Sequence, residues 1–76
     1  MPHRFFGSTD IDPLRAGRDV GRIAEEVLQH LTTTAGANVH VSLEIQADVP
    51  EGISDNLQRV LDENCRVLKF RAHGFE

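Results

Sequence analysis

Val39-His40-Val41-Ser42-Leu43-Glu44-Ile45-Gln46-Ala47-Asp48-Val49 alternates without a break. Every odd-numbered residue is apolar and every even-numbered one is polar. Successive side chains on a strand point to opposite faces, so this period predicts a strand with one dry face and one wet face. Its downstream end is marked by Pro50-Glu51-Gly52, a combination that favours a turn.

Upstream of this stretch, Asp12-Pro13 reads as a helix start. The carboxylate suits the N-cap, and proline suits the first helical position. Leu14, Val20, Ile23, Ala24, Val27, Leu28 and Leu31 then recur at helical spacing, which predicts one apolar stripe about five turns long. Thr32 to Thr34 weaken this helix, and Gly36 is expected to end it in a left-handed cap. Downstream, Ser54 predicts the start of a shorter helix whose inner face is Leu57, Val60, Leu61, Cys65 and Leu68. Arg4–Ile11 and Val67–Phe75 complete the pattern as first and last strands, with Leu68, Phe70 and Ala72 alternating against Lys69, Arg71 and His73.

The resulting expectation is an α/β fold of two layers, βαβαβ, in which a three-stranded sheet carries both helices on one face. Short connections favour parallel strands with right-handed crossovers, and an antiparallel last strand remains open. The other sheet face would present Phe6, His40, Glu44, Lys69, Arg71, His73 and Phe75. Parallel sheets are normally covered on both sides, which makes this face a candidate contact surface. Its alternative is an ordinary solvated face.

The chain has 76 residues, a formal net charge of −4 and one cysteine, Cys65. One small domain over residues 1–76 is expected, with a thin core, since a fold of this size buries only about 60% of its unfolded surface. A lone thiol and no signal-peptide pattern point to a reducing, cytoplasmic setting. No apolar run is long enough to span a bilayer. The acidic balance argues against a general nucleic-acid binder, which normally concentrates basic residues on one face.

Few residues carry chemistry. Arg15, Arg18 and Arg22 share one side of the first helix in its N-terminal half, where the macrodipole disfavours cations. An acidic protein or a phosphate backbone would explain that placement, and so would a solvated face paired with Asp10, Asp12 or Asp19. Gly17 and Gly21 each cost about 1 kcal/mol in a helix interior, an expense that close approach of another backbone would explain. Neither belongs to a phosphate-binding loop, because no GxGxxG or GxxxxGK[ST] motif is present. His3, His30, His40 and His73 lack metal-ligand spacing, so neither a metal nor a cofactor is expected. Cys65 lies on an apolar helix face, where a thiol packs rather than reacts. An enzyme built on Cys65 and a histidine is the weakest class.

Asp12-Pro13-Leu14-Arg15-Ala16-Gly17-Arg18-Asp19, Glu63-Asn64-Cys65-Arg66-Val67-Leu68-Lys69-Phe70 and His73-Gly74-Phe75-Glu76 carry a resemblance. From about Arg4 to Glu76 the chain resembles the extreme C-terminal segment of a family of large prokaryotic predicted AAA+ ATPases of unassigned function, often encoded near DNA methyltransferases and helicases. The resemblance implies a C-terminal module of a longer protein whose nucleotide-binding motifs lie upstream. Met1-Pro2-His3 would then be either a start cut into that protein or the start of a short gene product. A role in DNA modification or phage defence is implied for the parent alone.

Together these readings favour a non-catalytic accessory domain that docks or oligomerises, with itself or with the remainder of the parent ATPase. Its candidate surface is Arg15, Arg18, Arg22, Phe6, His40, Glu44, Lys69, Arg71 and His73. The alternative is a nucleic-acid contact module using the Arg15, Arg18 and Arg22 face. No membrane partner is expected.

Overall fold

A computed structural model describes all 76 residues. It divides into two units, Met1–Ser42 and Leu43–Glu76. Helix is the only regular secondary structure.

In the first unit a 3-10 turn, Pro13–Arg15, leads into α1, Ala16–Ile23. A π-helical segment, Ala24–Leu28, follows and passes into α2, Gln29–Thr32. The start follows from the sequence: Asp12 is extended, its Oδ1 accepts from the Leu14 N–H at 3.0 Å, and Pro13 occupies the first turn. The π-helical register is visible where the Gln29 N–H donates to the Ala24 carbonyl five residues back. The end is built by threonines. Thr33 Oγ1 donates to the Gln29 carbonyl and Thr34 Oγ1 to the His30 carbonyl, each at 2.7 Å, satisfying two carbonyls near the helix end. Gly36 has a positive φ of 80°, but it sits in the turn beyond these threonines rather than on the helix end itself.

The second unit holds α3, Asp55–Val67. Ser54 Oγ accepts from the Leu57 N–H at 3.1 Å, the expected N-cap. Ahead of it the Gly52 N–H donates to the Val49 carbonyl at 2.9 Å, closing the turn that Pro50 and Gly52 predict.

The three-stranded βαβαβ sheet does not form. None of Arg4–Ile11, Val39–Val49 and Val67–Phe75 is a strand, so there is no sheet to carry the helices, no crossover and no common face. The last of these has a local cause. α3 runs through Val67, Leu68 caps it, and Lys69 turns left-handed at φ 61°. The Phe70 N–H then donates to the Cys65 carbonyl at 2.8 Å and the Lys69 N–H to the Arg66 carbonyl at 3.1 Å. That double closure is a Schellman motif, and its left-handed residue is incompatible with an extended strand. Val39–Val49 retains its alternating chemistry but gains no ladder. Its one backbone hydrogen bond is the turn closure at the Val49 carbonyl. A strand is a property of a pair, and without a partner the period alone cannot hold it.

No side chain is fully buried. Half-buried apolar groups in the first unit are Ile11 and, from the expected stripe, Ile23, Ala24, Leu28 and Leu31; Leu14, Val20 and Val27 are exposed. In the second unit Ile53 and Cys65 are half-buried, whereas Leu57, Val60, Leu61 and Leu68 are exposed. The expected close approach at Gly17 and Gly21 is not made within the chain: a Cβ added at either would meet nothing within 4 Å.

Candidate functional site

The alternating stretch displays several apolar side chains. Leu43 and Ile45 are each 68% exposed and Val41 is 61% exposed. His40, Ser42, Glu44, Gln46 and Asp48, between and beyond them, are exposed as well. Apart from the Val49 carbonyl, the backbone of this stretch has no hydrogen-bond partner on the backbone of the rest of the chain.

Of the residues expected on an open sheet face, the structure brings few together. Phe6, His40, Glu44, Lys69 and Arg71 are exposed, but no sheet aligns them. Lys69 serves as the left-handed residue that ends α3. His73 is engaged instead of displayed. Its Nε2 lies 2.7 Å from Asp62 Oδ1 on α3, while Arg66 Nη2 reaches the other carboxylate oxygen at 3.2 Å. The His73 hydrogen bond holds the Asp62 carboxyl below its ordinary value of 3.8; partial desolvation opposes that shift, and the charges of Arg66 and His73 add to it.

Asp62 was invisible as a partner of His73 in the sequence. Its spacing from Arg66, acid first at i and i+4, was the only readable signal. The bond to His73 depends on the chain reversal at Lys69, which no glycine announces. An aspartate–imidazole pair can orient a base, but nucleophilic catalysis also needs a hydroxyl or thiol within reach of that base. The hydrogen bond of His73 runs to Asp62, and this cluster works as a clasp on the segment after α3.

Arg15, Arg18 and Arg22 are exposed, and each has a carboxylate beside it. Arg15 lies 4.0 Å from Asp12, Arg18 3.6 Å from Asp19 and Arg22 3.8 Å from Glu26. These are loose surface pairs, which contribute little to stability. They also balance the local charge, so the three arginines do not make an isolated cationic stripe.

An open hollow of about 350 Å³ lies in the second unit between the Val49–Gly52 turn, Gln58 and Phe75. Asp48 and Glu76 are among its lining residues, next to apolar Ala47, Val49 and Ile53. No three of the histidine, cysteine, aspartate and glutamate side chains converge at a spacing suited to a metal ion. No helix is long and apolar enough to cross a membrane. Compared with protein-family models, with curated proteins and with solved structures, the chain matches none.

Proposed function

We propose that this chain is a non-catalytic interaction module that docks or oligomerises in a cytoplasmic setting. The observation that carries this reading is the row Val41, Leu43 and Ile45, which is more than half exposed on a backbone without ladder partners. A second chain supplying one strand would satisfy the backbone and set its own apolar residues beside the row, the mode by which edge strands recruit partners. The sequence resemblance supports placing such a module at the C-terminal end of a large AAA+-type ATPase, where it would couple the enzyme to another copy or to a partner. The loose pairing of Arg15, Arg18 and Arg22 with carboxylates leaves the nucleic-acid reading without a distinctive feature.

The test is amide hydrogen exchange at residues 39–49 of the isotopically labelled chain, in dilute buffer and in concentrated extract of the source cells. Slowed exchange across these amides in extract is the expected result. Equal, rapid exchange in both media would remove the interaction reading.

A further inference from the structure

We infer that Phe70–Glu76 is a hinged strap that closes over one face of α3, turning at Lys69 and latched by His73 on Asp62, and that one wall of the hollow exists only while the strap is closed. The inference goes beyond the interaction reading and stands without it.

The strap returns antiparallel along the helix it has just left. Three contacts mark its course, each further from the turn. The Phe70 N–H donates to the Cys65 carbonyl at 2.8 Å. His73 Nε2 lies 2.7 Å from Asp62 Oδ1. Phe75 and Glu76 share the lining of the hollow with Gln58. Cys65, Asp62 and Gln58 follow one another at three- and four-residue spacing, so they form one face of the helix. They are also the only residues of α3 that are not exposed. The covered side of α3 is thus the side along which the strap runs, while Leu57, Val60 and Leu61 stay open.

The two walls of the hollow are held differently. One is fixed within itself: the Gly52 N–H closes on the Val49 carbonyl at 2.9 Å, and Gln58 Nε2 donates to the Ile53 carbonyl at 2.8 Å. Phe75 and Glu76 form the other wall, and the His73 bond is the only hydrogen bond or ion pair made by residues 71–76. At the opposite end of the strap Lys69 stands at φ 61°, a strained conformation that persists only where its surroundings hold it. A strained hinge opposed by one latch suits an element that opens without melting the helix beneath it. Opening uncovers the Gln58, Asp62 and Cys65 face and takes Phe75 and Glu76 off the hollow.

Two readouts on the purified chain test this: amide exchange at Phe70, and the alkylation rate of Cys65 by iodoacetamide at fixed neutral pH. His73→Ala should accelerate both roughly fivefold, since it removes the latch. Phe75→Ala should accelerate both about twofold, although it lies five residues from Phe70, because the strap closes as one unit. Lys69→Gly should slow both, by relieving the hinge in the closed state. The Val60 amide, in the middle of α3, should exchange alike in all four chains. Cys65 alkylation that is unchanged in His73→Ala or in Phe75→Ala would overturn the strap. So would acceleration at Val60 matching that at Phe70, since the helix itself would then be melting.

Discussion

His73 Nε2 lies 2.7 Å from Asp62 Oδ1, a bond across eleven residues that ties the segment after α3 back onto the helix. The bond prefers the ionised carboxylate, and the Asp62 carboxyl is accordingly held below 3.8. A depressed folded-state value contributes stability above the unfolded value and loses it as pH falls through the folded one. The clasp is therefore expected to hold at neutral pH and to open in acid, below about pH 4. NMR titration of Asp62, followed together with amide exchange at residues 70–74, should show the two changes coinciding. His73→Ala should return the Asp62 titration upward toward its ordinary value.

Lys69 occupies left-handed backbone at φ 61°, where a side chain costs about 1 kcal/mol or more. Lys69→Gly removes that strain at the position where glycine is usual. Amide exchange at Phe70, whose N–H closes the motif on Cys65, is expected to slow about fivefold. Lys69→Val should accelerate it, because a β-branched residue tolerates this conformation worst.

Asp12 and Ser54 each cap a helix through one side-chain hydrogen bond. Asp12→Ala and Ser54→Ala should each cost about 1 kcal/mol of local helix stability, while Asp12→Asn should retain most of it. Far-UV circular dichroism and exchange at the Leu14 and Leu57 amides distinguish these outcomes.

Leu43 and Ile45 stand 68% exposed, so replacing them with polar residues removes little packing within the chain. Leu43→Thr with Ile45→Thr is expected to leave helix content unchanged and to abolish the protection of residues 39–49 in extract. A fall in helix content instead would show that the pair supports the fold.

The helix starts were legible because each is a contract between neighbours: Asp12 with Leu14, Ser54 with Leu57. The turn at Pro50 and Gly52 was legible for the same reason. At Val67–Phe75, Leu68, Phe70 and Ala72 alternate as a strand would, while nothing in Lys69 signals a left-handed stop. The His73 contact depends on that stop, since a residue on an extended strand leading away from α3 does not reach back to Asp62.

By itself, the sequence determined the local features: two capped helices, a proline–glycine turn, and an eleven-residue alternation of apolar and polar groups. Such features depend on side chains a few positions apart, whose encounter costs little loop entropy. Only the tertiary structure decided whether the alternation would become a sheet, and it leaves Val39–Val49 without a ladder. Pairing joins distant segments or separate chains, and the period of one strand carries no record of its partner. The physical reason is that a strand's hydrogen bonds point sideways, outside its own sequence, whereas a helix satisfies its backbone within itself.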